Sequence, residues 1–131
     1  AKTGNPVAAP VRLSETDLLA AREAALNIHM ADSVEEYLVQ LVLATRHAGR
    51  YDNSLERLIE YGASPRATIA LDRCARARAW LLGRDFVSPE DVLALAPDVL
   101  RHRIIPSFEA EADGHTVDSL IRRLLELVPV A

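Results

Sequence analysis

Residues 64–83, SPRATIALDRCARARAWLLG, carry the main helical pattern of the sequence. Ser64 can cap a helix, and Pro65 suits the first helical position, where the backbone N–H has no partner in any case. Apolar side chains then recur around most of the helical circumference; they are Ile69, Ala70, Leu71, Cys74, Ala75, Ala77, Leu81 and Leu82. A helix that is apolar on several sides must pack on several sides. Residues 64–83 therefore predict a helix at the centre of the fold, with Cys74 in the core.

Two helices are predicted before this central one. Ser14 begins a sequence that resembles a capping box, and apolar residues follow it at helical spacing. Ser33 stands three residues ahead of Glu36, which predicts the start of a second helix, and Gly49 supplies its stop. From residue 51 to residue 62 the pattern weakens and allows only one helical turn within a loop.

Two more helices are predicted after the central one. Ser88-Pro89 repeats the serine cap with a proline in the first position. Pro97 is expected to break or kink the helix that starts there, with a short continuation through Val99 and Leu100. Gly114 and Thr116 introduce a last helix, which Pro129 ends.

Length and composition favour a single helical domain. The chain has 131 residues, of which 50% are hydrophobic and 5% aromatic, so it can bury one aliphatic core. Residues 104–108 predict a brief extended segment, and residues 28–30 are its expected partner. We predict an all-α bundle of about five helices over residues 12–131, with one short two-stranded β pairing. Residues 1–11 are expected to be a linker or a tag remnant.

Charge and hydropathy exclude several classes of protein. The formal net charge is −4 and the pI is about 5.5, whereas proteins that bind nucleic acid or anionic membranes are typically basic. No apolar run approaches the roughly 20 residues that a bilayer span needs. Cys74 is the single cysteine, which excludes an internal disulfide and is consistent with a reducing compartment. We expect a soluble, cytoplasmic domain with no nucleic-acid or membrane partner.

Motifs for autonomous catalysis or metal binding are absent from the sequence. Neither a phosphate-binding G-x-x-x-x-G-K-[ST] loop nor a G-x-S-x-G nucleophile elbow occurs. The histidines are far apart in sequence and form no i,i+4 pair; they are His29, His47, His102 and His115. We therefore expect no metal site and no enzyme activity from this chain alone.

Arg66 departs from the usual pattern of helix starts. The first turn of a helix carries a partial positive charge, so a cation there is disfavoured by about 0.3–1 kcal/mol. The position suits a guanidinium if an anion is supplied from outside, because its planar set of donors matches a phosphate group. On the residues alone, Arg66 is either a phosphate ligand or a solvated arginine.

Three later side chains of the same helix also stand out. Arg73 lies about two turns after Arg66 on the same side, where it either extends a basic stripe or forms the solvent-exposed edge. Arg78 falls on the apolar face, so we expect a carboxylate partner, because an unpaired buried charge is costly. Trp80 is expected at the rim of the core, with contact to another chain as the alternative.

The order of several short motifs resembles the C-terminal lid of the MoxR family of AAA+ ATPases. The resemblance covers roughly residues 12–128, and the nucleotide-binding core that precedes the lid in that family has no counterpart in the sequence. The matching motifs are ATR at 44–46, GASPRA at 62–67, GRDFV at 83–87, PEDV at 89–92 and VLRHRI at 99–104.

The resemblance implies a role for Arg66 as the sensor 2 arginine, which reaches the γ-phosphate of ATP bound to the core. It implies that Ser64 and Pro65 support the helix start. Four further residues match family positions without any assigned phosphate contact and are expected to be structural; they are Thr45, Arg46, His102 and Arg103. ATP with Mg²⁺ would bind the full-length protein, with neither expected on this chain alone. The implied partners are the protein's own AAA+ core, neighbouring subunits of a ring, expected to be a hexamer, and von Willebrand factor A domain proteins. The implied activity of the whole protein is chaperone-like remodelling or maturation.

Two alternatives to a lid remain. In the first, the chain is a stand-alone helical interaction module in which Arg66, Arg73 and Trp80 form a partner surface without any nucleotide. In the second it is a helical DNA-binding domain, which the negative net charge disfavours.

Overall fold

A computed structural model describes residue 7 and residues 10–130. In this part of the chain the backbone forms seven α-helices, one 3₁₀ turn and two short strands. The predicted all-α class with one short strand pair is confirmed, and two short helices, Asn53–Glu56 and Phe108–Ala112, add to the five expected. The helices are α1 Glu15–Leu26, α2 Asp32–Arg46, α3 Asn53–Glu56, α4 Ala67–Leu81, α5 Pro89–Leu100, α6 Phe108–Ala112 and α7 Val117–Leu127; the 3₁₀ turn is Ala48–Arg50 and the strands are β1 Ile59–Tyr61 and β2 Ile105–Pro106.

The prediction of a linker over residues 1–11 falls mostly outside the described residues. Of the residues that are described there, 7, 10 and 11 have no regular secondary structure and are exposed.

Helix α4 is central, as predicted, because it packs against α1, α2 and α5. Its buried side chains form one narrow stripe of small and aliphatic residues; they are Ala67, Leu71, Ala75 and Ala79. Three alanines in this stripe let the neighbouring helices approach α4 closely. The other main part of the core comes from α2, where Tyr37, Leu38 and Leu41 are buried, and from apolar side chains of α5 and α7.

The prediction that Cys74 lies in the core was wrong. Cys74 is exposed, and so are Ile69, Leu81 and Leu82. Alanine and leucine are strong helix formers wherever they lie on a helix. Their frequency in residues 64–83 therefore reflects helix propensity as well as burial.

Helix starts follow local capping signals in most cases. The Ser14 hydroxyl accepts a hydrogen bond from the amide of Asp17 at 3.0 Å, as predicted for α1. The predicted starts at Ser88-Pro89 and Thr116 are also confirmed, each by a reciprocal capping box. The predicted start at Ser33 was wrong, because α2 begins at Asp32 and the carbonyl of the preceding alanine accepts the first hydrogen bonds.

One predicted helix end and one predicted break also differ from the structure. Helix α2 ends at Arg46 instead of Gly49, which lies in the 3₁₀ turn that follows. Helix α5 runs through Pro97 to Leu100, so the expected continuation through Val99 and Leu100 is confirmed and no break occurs at Pro97. A proline removes only its own hydrogen bond, and the carbonyl of Pro97 still accepts one from the amide of Arg101 at 2.9 Å.

The extended segment at residues 104–108 pairs with a different partner from the one expected. Strand β2 is antiparallel to β1, with Ile105 opposite Tyr61 and Pro106 opposite Ile59. The expected partner, residues 28–30, instead runs beside the segment after α4, where His29 forms an isolated bridge with Phe86. The pairing with residues 28–30 was therefore wrong.

Candidate functional site

The loop before α4 ends in a tight helical turn that carries Arg66. The carbonyl of Ser64 accepts a hydrogen bond from the amide of Ala67 at 2.9 Å, and the carbonyl of Pro65 accepts one from Thr68 at 3.1 Å. The Ser64 hydroxyl accepts a hydrogen bond from the amide of Arg66 at 3.2 Å. The Ser64 hydroxyl thus stabilises the turn that carries Arg66, but it does not cap α4 as predicted, because the helix begins only at Ala67 with Arg66 as its N-cap. Pro65 accordingly lies in the turn and not in the first helical position predicted for it.

Two residues earlier in the same loop are attached to the last turn of α2. The buried amide of Ala63 donates to the hydroxyl of Thr45 at 2.9 Å, and the carbonyl of Ala63 accepts from Nη1 of Arg46 at 3.2 Å. Gly62 lies so close to this turn that a Cβ atom would come within 2.3 Å of the carbonyl oxygen of Thr45. Only glycine leaves room for the two backbones to pack in this way.

Arg66 itself is exposed at the start of α4. Among the described residues, its side chain has neither a hydrogen-bond partner nor a carboxylate within 4.0 Å. The first amides of the helix already have partners within the turn, so the guanidinium is the group at this end that remains available to an anion. A guanidinium in this position can bind an anion brought from elsewhere.

A cavity of about 310 Å³ lies beside this loop. Arg46 borders both the cavity and the loop, since its guanidinium reaches the carbonyl of Ala63. His47, Arg50 and Glu56 complete the polar part of the lining. This cavity could not be predicted from the sequence, because its residues come from both sides of the 3₁₀ turn.

The carboxylate partner expected for Arg78 is Asp91, the most enclosed charge in the described part of the chain. Arg78 Nη1 lies 2.5 Å from Oδ1 of Asp91, and Arg84 binds both carboxylate oxygens at 2.6 and 2.7 Å. The amide of Ser88 donates to Oδ2 at 2.8 Å. Burial of Asp91 acts to raise its pKa, but the hydrogen bonds from Arg84, Ser88 and Arg78 outweigh burial and hold the pKa well below its ordinary value of 3.8. This cluster joins the end of α4 to the start of α5 and is structural.

The remaining residues of α4 that the sequence singled out do not join Arg66 in one cluster. Arg73 is exposed, and Trp80 is 37% exposed at the rim of the core. In the described residues, no three His, Cys, Asp or Glu side chains are grouped as metal ligands. None of the helices that the structure describes has the length and apolar character needed to cross a bilayer.

Comparison with known proteins defines the class to which this fold and loop belong. Residues 53–124 match the model of the AAA lid domain family. This match covers more than half of the chain, and the chain therefore belongs to the AAA lid domain family.

Its relatives place it with the MoxR proteins of that family. It is 38% identical to Chaperone MoxR1 of Mycobacterium tuberculosis over 117 residues, which are 88% of this chain and 31% of that protein. It is 45% identical to Protein MoxR of Methylorubrum extorquens over 78 residues, 58% of this chain and 22% of that protein. A solved structure of a proposed ATPase from Cytophaga hutchinsonii is 39% identical, with a TM-score of 0.86 over 88% of this chain and 36% of that one. The chain thus spans about a third of the length of MoxR1.

Proposed function

We propose that this chain is the C-terminal lid of a MoxR-type AAA+ ATPase, which closes over ATP bound with Mg²⁺ to a separate core domain. Arg66 would sense the γ-phosphate of that ATP. The observation that carries the proposal is the position of Arg66, which is an exposed cation at the start of α4 on a loop tied to α2. Among the described residues it has no acidic partner, which fits a partner supplied by another domain.

Arg66 would couple the nucleotide state to the position of the lid. A charge-assisted hydrogen bond contributes about 1.5–3 kcal/mol, which changes the ratio of closed to open lid by roughly 10- to 100-fold. Arg66 loses this partner once the γ-phosphate has left, so the closed position is no longer favoured. A ligand shifts such an equilibrium only through its different affinity for the two states.

The rest of the proposal concerns the whole protein. Binding of the nucleotide would require the core, so this chain alone would bind ATP weakly and would not hydrolyse it. The partners would be that core and the neighbouring subunits of a ring, taken as a hexamer, with von Willebrand factor A domain proteins as further partners. The protein would act in the cytoplasm as a chaperone-like remodelling or maturation factor.

The test is ATP turnover by the longer polypeptide that joins this lid to its nucleotide-binding core. Arg66→Ala should lower turnover by about tenfold or more, with the unfolding midpoint unchanged because the side chain is exposed. Arg73→Ala is the matched control, since Arg73 is an exposed arginine on the same helix, and it should stay within about twofold of the wild type.

Equal turnover by the Arg66→Ala protein and the wild type would contradict the proposal. The stand-alone interaction module would then be the better description. Binding of DNA that weakens steeply as the salt concentration rises would instead support a helical DNA-binding domain.

A further inference from the structure

We propose that Thr45 and Arg46 are positioning residues for Arg66, an inference that rests on the proposed function of Arg66. Together they bind both backbone groups of Ala63, three residues before the arginine. We call this pair of contacts the Ala63 clamp. The clamp fixes the loop to the last turn of α2, so that the backbone of Arg66 is held in one defined position.

The Thr45 hydroxyl is oriented for this task by its second hydrogen bond. It donates its only proton to the carbonyl of Val42 at 2.7 Å, which leaves a lone pair to accept the amide of Ala63 at 2.9 Å. Thr45 is 2% exposed and Ala63 is fully buried, so water cannot replace the hydroxyl. Without it, the amide of Ala63 would be buried and unpaired.

Arg46 and Gly62 complete the attachment from the other side. The guanidinium of Arg46 donates to the carbonyl of Ala63 at 3.2 Å, although Arg46 is exposed. Gly62 lies so close to the backbone of Thr45 and Arg46 that no side chain would fit there. The segment is thus held by two hydrogen bonds and packed closely against the end of α2.

Little freedom remains between the Ala63 clamp and Arg66. Only Ser64 and Pro65 intervene; proline has a fixed φ, and the Ser64 hydroxyl accepts the amide of Arg66. The backbone position of Arg66 is therefore set by the end of α2 as much as by its own helix. The clamp acts through Arg66 and touches no nucleotide.

The first experiment measures the clamp directly in the longer ATPase polypeptide by hydrogen exchange mass spectrometry over residues 62–66. Thr45→Val keeps the shape of the side chain but removes the acceptor, and it should speed exchange of the Ala63 amide by about tenfold or more. Thr45→Ser keeps the hydroxyl and should restore slow exchange. Unchanged exchange in Thr45→Val would overturn the clamp, whatever the role of Arg66.

The second experiment asks whether the clamp acts through Arg66, by a double-mutant cycle on ATP turnover. Thr45→Val and Arg46→Ala should each lower kcat by about threefold to tenfold in the wild-type background. In the Arg66→Ala background each should change kcat by less than about twofold, because the group that they position is gone. A purely structural role would lower kcat equally in both backgrounds and would overturn the inference.

The cycle also separates failure of this inference from failure of the proposed function. If Arg66→Ala lowers turnover while Thr45→Val and Arg46→Ala do not, only the positioning role is wrong. If Arg66→Ala has no effect, the proposed function is wrong and the positioning role falls with it. Because the Arg46 side chain is exposed, Arg46→Ala retains a folded protein even if Thr45→Val does not.

Discussion

Removal of the Asp91 carboxylate should be among the most destabilising single changes in this domain. Its side chain is fully buried and accepts hydrogen bonds from Arg78, Arg84 and Ser88. Asp91→Ala removes every one of these contacts at once and leaves two guanidinium groups facing each other across the gap. The end of α4 and the start of α5 would then lose their shared polar contact.

The size of the effect depends on how far the two arginine partners of Asp91 are buried. Breaking a buried ion pair by removing one member costs about 3–5 kcal/mol. The side chains of Arg78 and Arg84 keep 37% and 27% of their surface exposed, so water can solvate them after the change, which favours the lower end of that range. We expect a loss of about 3 kcal/mol in the free energy of unfolding, which lowers the melting temperature by about 12 °C.

Urea denaturation followed by circular dichroism measures this loss. Glu90→Ala is the matched control, because Glu90 is the neighbouring acid in the first turn of α5 and is exposed. It should cost less than about 1 kcal/mol, the contribution of an acid near a helix N-terminus. A loss below about 1 kcal/mol in Asp91→Ala would contradict this prediction, since the arginines would then gain as much from water as from the carboxylate.

Three further predictions concern pH, the tight loop and the exposed thiol. The pKa of Asp91 in the folded protein lies below its unfolded value of 3.8. The ionised carboxylate therefore stabilises the fold above about pH 4, and this contribution is lost as the pH falls toward the folded pKa. The urea midpoints at about pH 7 and pH 3 should differ more in the wild type than in Asp91→Ala. Gly62→Ala should cost about 1–3 kcal/mol in the same assay, because its Cβ would collide with the backbone of Thr45; an unchanged midpoint would contradict the close packing. Cys74→Ser should change the free energy of unfolding by less than about 0.5 kcal/mol since the thiol is exposed, whereas Leu71→Ala, from the buried stripe of the same helix, should lose about 3 kcal/mol.

Much of the helical framework could be predicted from the sequence, because helix caps depend on residues only three positions apart. The contacts of Ser88 with Asp91 and of Thr116 with Ser119 are of this kind. The partner of β2 could not be predicted in the same way. Strands of two or three residues carry no hydrophobic period, and Ile105 lies opposite Tyr61 only because the chain folds back over more than forty residues.

The candidate site was only partly predictable for the same reason. The cost of burying a charge was enough to predict a carboxylate for Arg78, but the choice of Asp91 depends on how α4 and α5 pack. The attachment of Ala63 to Thr45 joins residues 18 positions apart. The one sequence signal for this attachment is Gly62. A glycine is required there because the loop lies against the backbone of Thr45, and that contact is visible only in the folded structure.

Helix α4 is fastened at both ends, by the Ala63 clamp ahead of its first turn and by the Asp91 cluster at its last. Its 15 residues span about 22 Å at 1.5 Å each. Because both ends of α4 are held by side-chain contacts, we expect a displacement of the Arg66 end to move the whole helix, and α5 with it, and not to unwind the first turn.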